Sequence, residues 1–145
     1  MPPETLAAVR AVLDELRDLD GALMPVLHGI QDRLGFVPPE SVPEIAEALN
    51  LSRAEVHGVL TYYHHFRGAP AAGPVLQVCR AESCQAMGGE ALWQHAQQAG
   101  GCALEPVYCL GLCAMSPAVM LDGRPHARMT ADKLDRLLAG DGSAR

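Results

Sequence analysis

Four cysteines arranged as two close pairs place the strongest constraint on how this chain can fold. Cys79 and Cys84 are separated by four residues, Cys109 and Cys113 by three, and 24 residues lie between the pairs. Four thiolates are the ligand set of a [2Fe-2S] cluster, because soft, anionic sulfur offsets the ferric charge and donates strongly to iron. If both pairs hold one cluster, the two loops that carry them must meet in space.

Other chemistries use cysteines in other spacings. Structural zinc sites with four cysteines usually take C-x2-C knuckles, and neither pair here has that spacing. Disulfides suit secreted chains with an even cysteine count, whereas this chain has five cysteines and we expect no export signal. A Rieske centre needs two histidines, and plant-type ferredoxins place three ligands in one run. A zinc-stabilised interaction module without redox function stays open as an alternative.

Composition narrows the class of partner. The chain has 145 residues, 49% of them hydrophobic, a net charge of −6 and a single lysine, Lys133. Binding to nucleic acid depends mostly on Lys and Arg that neutralise phosphates, so we expect no nucleic acid partner. No stretch is long and apolar enough to span a bilayer, so we expect no membrane insertion and a cytoplasmic location.

The chain changes character near Gly68. We predict a helical domain over residues 1–68, a small, proline-bearing linker over 69–74 and a second domain over 75–145. The helical domain has two apolar stripes at helical spacing: Leu6, Val9, Leu13 and Leu16, then Leu23, Val26, Leu27, Ile30 and Leu34, with Gly35 ending the second helix.

Two short helices are predicted to complete the first domain. Ser41 with Glu44, and Ser52 with Glu55, have the spacing of capping boxes. The second domain reads as strand, helix, strand, strand, helix, with one additional short strand. The predicted elements are a strand at 75–78, a helix at 84–98, strands at 103–108 and 118–121, a turn at 122–123, a short strand near His126 and a helix at 130–138.

At these residues the chain resembles the thioredoxin-like [2Fe-2S] proteins, which include a subunit of respiratory complex I. The resemblance covers nearly the whole chain and rests on residues 28–31 (HGIQ), on 59–63 (VLTYY), on the two cysteine loops and on Pro117. It implies an α+β fold, in which an N-terminal helical bundle precedes a thioredoxin-like [2Fe-2S] ferredoxin domain. It also implies that Cys79, Cys84, Cys109 and Cys113 bind the cluster.

Within that family, residues 79–86 (CRAESCQA) and 108–114 (YCLGLCA) look like the gamma subunit of NAD-dependent, molybdenum-containing formate dehydrogenases. That branch implies an electron-transfer subunit with no active site of its own. Its partners would be a flavin- and NAD-binding subunit and a molybdenum-containing catalytic subunit, so that FMN, NAD and the molybdenum cofactor lie on those partners only. The alternative is the equivalent subunit of complex I or of an NAD-linked hydrogenase.

Several residues near the cysteines have predicted roles. Cys102 is interpreted as a packing cysteine, on the opposite face from Cys109 if the strand includes it. For Gly88 and Gly89 two interpretations are open: they allow a close approach of backbone or partner, or a helix tolerates them at about 1 kcal/mol each. For Arg80, two interpretations are open: donation to a cluster sulfide, or simple solvation.

Aromatic and histidine side chains follow the fourth predicted helix. Tyr62 and Tyr63 are predicted to seal the core between segments, although aromatic residues are also enriched at interfaces. His64 and His65 lack the ligand spacing of a zinc site together with nearby cysteines, so we expect a solvated or interface role for them.

Overall fold

The computed structural model describes residues 1–140 of the chain. The chain divides into two compact units, Met1–Ala71 and Ala72–Arg145, called here the helical unit and the sheet unit. The division falls within residues 69–74, which are rich in glycine, alanine and proline. None of the helices in residues 1–140 combines the length and the apolar character that crossing a membrane requires.

The helical unit contains four α-helices and one turn of 3-10 helix, Pro39–Ser41, among its described residues. The α-helices are α1 (Pro3–Leu16), α2 (Leu23–Leu34), α3 (Val42–Ala48) and α4 (Arg53–Tyr62). Both apolar stripes form the predicted helices, and Gly35 ends α2 in a left-handed conformation with φ of 80°. Val9 and Val12 of α1 pack with Val26 and Ile30 of α2 in one buried cluster.

The two predicted capping boxes have different outcomes. Ser52 caps α4 as predicted, because its hydroxyl accepts the Glu55 N–H and the Glu55 carboxylate accepts the Ser52 N–H. The prediction for Ser41 and Glu44 is wrong. The Ser41 backbone is helical, not extended as an N-cap requires, and its buried hydroxyl donates instead to the Pro38 carbonyl at 2.6 Å.

Tyr62 and Tyr63 do not seal the core, contrary to the prediction. Their exposed fractions are 73% and 45%, and the two rings pack edge to face against each other at 5.0 Å. Helix α4 ends at Tyr62, and the chain then returns so that Phe66, which is buried, closes the cluster. The tyrosines therefore remain available at the surface of the helical unit.

The sheet unit is built on a four-stranded mixed sheet with the order β2-β1-β3-β4. Its elements are β1 (Val75–Cys79), α5 (Glu82–Ala86), α6 (Gly89–Ala99), β2 (Ala103–Val107), β3 (Val119–Leu121), β4 (Arg124–His126) and α7 (Ala131–Leu138), with a 3-10 turn at Cys113–Met115. Strands β1 and β2 are parallel, whereas β3 is antiparallel to both β1 and β4. Helices and a mixed sheet confirm the α+β class.

Strand β1 is the centre of the core of the sheet unit. Leu76 and Val78 have no exposed surface, and they pack with Leu92 of α6 and Leu134 of α7. The turn at residues 122–123 is confirmed, and it carries the chain from β3 into β4. These contacts fix β1, and with it the position of Cys79 at its end.

The single helix predicted over residues 84–98 is wrong. Helix α5 already begins at Glu82 and ends at Ala86, and α6 starts only at Gly89. Between them Gly88 has a φ of 94°, a left-handed conformation that cannot continue a right-handed helix. Cys84 therefore lies in the middle of a short helix and does not open a long one.

Two glycines in the helical unit give a matched test of the packing of α2 against α1. A Cβ at Gly29 would lie 2.9 Å from Cγ1 of Val12, whereas a Cβ at Gly58 would meet nothing within 4 Å. Val12 is buried and β-branched, so it cannot move aside cheaply. We predict that Gly29→Ala lowers the free energy of unfolding by about 1–3 kcal/mol, and that Gly58→Ala raises it by about 0.5–1 kcal/mol. Urea unfolding of both variants measures this, and equal effects would contradict the described α1–α2 contact.

Candidate metal centre

The parallel pairing of β1 with β2 brings both cysteine loops to one edge of the sheet. Cys79, the last residue of β1, is paired with Val107, the last residue of β2, and Cys109 follows two residues later. The Arg80 N–H donates to the Val107 carbonyl at 2.8 Å, which continues the pairing just beyond β1. Because parallel strands end at the same edge, the two loops start side by side.

The first pair, Cys79 and Cys84, is buried, with exposed fractions of 2% and 3%. Burial raises the pKa of the Cys79 thiol, since it disfavours the thiolate, and the N–H groups of Ala81 and Cys109 act in the opposite direction. The neighbouring Cys84 thiol raises the pKa of Cys79 further. The Cys109 N–H belongs to the other loop, so this contact links the two pairs.

Gly89 makes the close approach that its sequence position suggested. A Cβ at this position would lie 2.6 Å from the Cys84 carbonyl oxygen, a distance that real Cβ atoms do not adopt. The start of α6 is therefore packed directly against the backbone that carries Cys84. Only glycine fits there, and its close packing against the Cys84 backbone holds the first cysteine loop in place.

The second pair, Cys109 and Cys113, is exposed. The Gly111 N–H donates to the Cys109 sulfur at 3.3 Å, and this bond, together with the Cys113 thiol, lowers the pKa of Cys109. The Cys109 thiol in turn raises the pKa of Cys113. Cys109 has a φ of 114°, which is uncommon for a residue other than glycine and marks a strained turn.

The donor set fits a two-iron cluster. The Cys109 and Cys113 sulfurs are 3.5 Å apart, close to the ~3.7 Å expected of two thiolates about 2.3 Å from one tetrahedral metal. The two pairs lie near each other, because the Ser116 oxygen is 3.6 Å from the Cys84 sulfur and 2.8 Å from the Cys113 carbonyl oxygen. The thiols form two pairs, which is the division that two irons require.

Two serines that sequence reasoning missed connect the loops. The Ser83 hydroxyl donates to the Cys113 carbonyl at 3.0 Å and lies 2.9 Å from the Ser116 hydroxyl. Ser116 in turn is 2.8 Å from that carbonyl and 3.6 Å from the Cys84 sulfur. Their sequence signal is weak: one serine lies inside the first loop, and the other comes three residues after the last cysteine.

Cys102 lies at the other end of the sheet from the pairs. It precedes β2, and strand geometry puts the two ends of β2 about 13 Å apart. Cys102 is half-buried against the core of the sheet unit, and burial raises the pKa of its thiol. This half-buried, apolar environment matches the interpretation of Cys102 as a packing cysteine. Strand β2 begins one residue later, at Ala103, so the strand does not include Cys102.

Arg80 is engaged with helix α6. Its guanidinium forms an ion pair with Glu90 at 3.0 Å and stacks over the Trp93 ring at 4.8 Å. Its buried Nε has no hydrogen-bond partner among residues 1–140. Simple solvation is therefore not the state of this side chain, and donation to a cluster sulfide stays a prediction. His64 and His65 lie in the helical unit, where His65 packs against the ring of His28 at 5.1 Å.

Comparison with known proteins now identifies the family. Residues 9–140 match the family model of the thioredoxin-like [2Fe-2S] ferredoxins. The chain belongs to this family. The predicted thioredoxin-like fold is thereby confirmed, and the family supports a [2Fe-2S] cluster as the cofactor.

The curated proteins to which the chain is similar are named as subunits of oxidoreductases. NADH-quinone oxidoreductase subunit 2 of Thermus thermophilus is 31% identical over 131 residues, which cover 82% of this chain and 72% of the relative. Another NADH-quinone oxidoreductase subunit, from Rhizobium meliloti, is 30% identical over an alignment that covers 90% of this chain and 84% of the relative. The NADP-reducing hydrogenase subunit HndA of Solidesulfovibrio fructosivorans is 23% identical over an alignment that covers 96% of this chain and 88% of the relative.

A solved structure shares the fold. The H2-reduced crystal structure of NAD+-reducing [NiFe]-hydrogenase matches with a TM-score of 0.63 and 23% identity. The match covers 78% of this chain but only 21% of the hydrogenase chain. At that identity the likeness concerns the fold alone.

The two exposed thiols should differ in reactivity in the reduced, metal-free protein. Alkylation follows the thiolate fraction and access, and a lowered pKa gives Cys109 the larger thiolate fraction at any given pH. We predict that iodoacetamide near neutral pH modifies Cys109 first, Cys113 more slowly and the buried pair slowest. Timed peptide mass mapping measures the order. Faster modification of Cys113 than of Cys109 would contradict the described Gly111 contact.

Proposed function

We propose that this chain is an electron-transfer subunit that holds one [2Fe-2S] cluster on Cys79, Cys84, Cys109 and Cys113. The observation that carries the proposal is the meeting of both cysteine loops at one edge of the sheet, where Ser83 and Ser116 connect them. A bound cluster supplies a group that accepts and releases one electron at a time. The chain supplies the ligands and controls their surroundings.

The two pairs contribute differently to that task. Cys79 and Cys84 are buried, so they keep water from one side of the site and hold it to the core. Cys109 and Cys113 are exposed, which leaves the other side open to a redox partner. Burial and hydrogen bonds to sulfur are the features by which a protein sets a cluster potential.

Exposed apolar side chains next to the cysteines support contact with a partner at this end. Tyr108, Met87 and Met115 have exposed fractions of 70%, 63% and 40%, and each lies within three residues of a cysteine. Exposed apolar patches commonly mark interaction sites. We infer that the partner is a flavin- and NAD-binding subunit that carries FMN.

The helical unit, with its exposed tyrosines, serves as a docking domain. The chain itself has no active site.

The finer proposal is that the complex is an NAD-dependent formate dehydrogenase with a molybdenum-containing catalytic subunit. It rests on the likeness of residues 79–86 and 108–114 to the gamma subunits of such enzymes. The second candidate is the equivalent subunit of an NADH-quinone oxidoreductase or an NAD-linked hydrogenase. The names of the relatives favour this second candidate.

The ligand assignment predicts the effect of removing each thiol. Replacing Cys79, Cys84, Cys109 or Cys113 by Ala should abolish iron binding, since each removes one of four ligands. The matched control, Cys102→Ala, should retain about two irons per chain. Iron, sulfide and zinc analysis of the anaerobically purified variants measures this. Loss of iron in Cys102→Ala with retention in Cys113→Ala would refute the assignment.

Purification of the native complex distinguishes the two candidates. With an affinity tag on this chain, we predict a complex that contains FMN and molybdenum and reduces NAD+ with formate. A matched complex carrying Cys113→Ala should assemble but lack the [2Fe-2S] signal. Copurification with quinone-reducing or nickel-containing subunits, without molybdenum, would contradict the formate dehydrogenase proposal and support the second candidate.

A further inference from the structure

We propose that Ser116 is a positioning residue, which donates its hydroxyl hydrogen to the Cys84 sulfur and thereby raises the reduction potential of the bound cluster. The inference rests on the proposed function, in which Cys84 is a ligand. Ser116 is 8% exposed, and its oxygen is 3.6 Å from that sulfur. That distance is within the range of a hydrogen bond to sulfur, so the contact needs no rearrangement of the loops.

The direction of this hydrogen bond depends on the state of Cys84. As a thiol, Cys84 carries a proton and can donate it to the Ser116 oxygen. A metal ligand is a thiolate, which has lost that proton and can only accept. The Ser116 hydroxyl can then turn its hydrogen towards the sulfur, because a hydroxyl rotates to suit its partners.

Ser83 allows this reversal without a lost hydrogen bond at the Cys113 carbonyl. Ser116 is 2.8 Å from that carbonyl oxygen, and Ser83 is 3.0 Å from the same atom. Each serine has one hydroxyl hydrogen. When Ser83 donates to the carbonyl, the Ser116 hydrogen is available for sulfur. Both hydroxyl hydrogens are then used, and the loops stay joined through the bond from Ser83 to the Cys113 carbonyl and the bond from Ser116 to the Cys84 sulfur.

The expected consequence is a higher reduction potential. Reduction adds one negative charge to the site, so a donor on a ligand sulfur stabilises the reduced form more than the oxidised form. Burial strengthens this effect, because the low local dielectric makes a hydrogen bond electrostatically stronger than it is in water. The two serines differ in one respect that can be tested: Ser116 contacts a cysteine sulfur, whereas the contacts described for Ser83 are all to oxygen.

The test is a redox titration of the intact chain with its cluster, monitored by absorbance and by electron paramagnetic resonance. Ser116→Ala should lower the ratio of reduced to oxidised protein at a fixed poise about three- to tenfold, equivalent to about 30–60 mV for one electron. Ser83→Ala should give a smaller decrease, because it draws the Ser116 hydrogen towards the Cys113 carbonyl. Resonance Raman spectra should show a deuterium shift of an iron–thiolate stretch that Ser116→Ala removes.

The outcomes separate this proposal from the ligand assignment. A Ser116→Ala protein with full iron and an unchanged potential overturns the role of Ser116 and leaves the ligands in place. Equal decreases in both serine variants also overturn it, since they indicate loop packing and not a bond to sulfur. If Ser116→Ala fails to hold iron, Ser83→Ala must still lower the potential, and no change there overturns the proposal. Full iron in Cys84→Ala refutes the proposed function itself.

Discussion

The parallel pairing of β1 with β2 is the interaction on which the cysteine site depends. It aligns Cys79 with Val107, and it therefore starts the two cysteine loops beside each other although 24 residues separate the pairs in the chain. Strand β1 is held in turn by fully buried side chains against α6 and α7. A change that shifted this register would separate the pairs while leaving every cysteine present.

The site is asymmetric, because one cysteine pair is buried and the other is exposed to solvent. One pair is buried against the core, with Gly89 packed behind it, and the other lies on a strained, exposed turn. Cys79 and Cys84 anchor the site to the core, whereas Cys109 and Cys113 are exposed near Tyr108 and Met115, which are exposed as well. This arrangement agrees with the electron-transfer role proposed above, in which a redox partner approaches the exposed pair.

The sequence was informative wherever one strong local signal acted alone. Apolar periodicity predicted α1 and α2, and the Ser52 capping box predicted the start of α4. Thiol spacing predicted the [2Fe-2S] cofactor that the family supports, and the four ligands stay a prediction. Prediction failed where another contact replaced the expected one. Ser41 makes a local hydrogen bond within a 3-10 turn, and a left-handed Gly88 ends the predicted helix, after which Gly89 packs against the Cys84 backbone. The Ser116 network could not be predicted, since it depends on two loops meeting across the sheet.

The measurement that tests the account most directly is spin and metal quantitation of the wild-type chain, purified without oxygen. If the two thiol pairs hold one [2Fe-2S] cluster, the protein is red-brown, and reduction with dithionite gives one unpaired electron for every two irons. A colourless protein with one zinc per chain and no electron paramagnetic resonance signal after reduction would contradict the account, because a four-thiolate zinc site has no redox function.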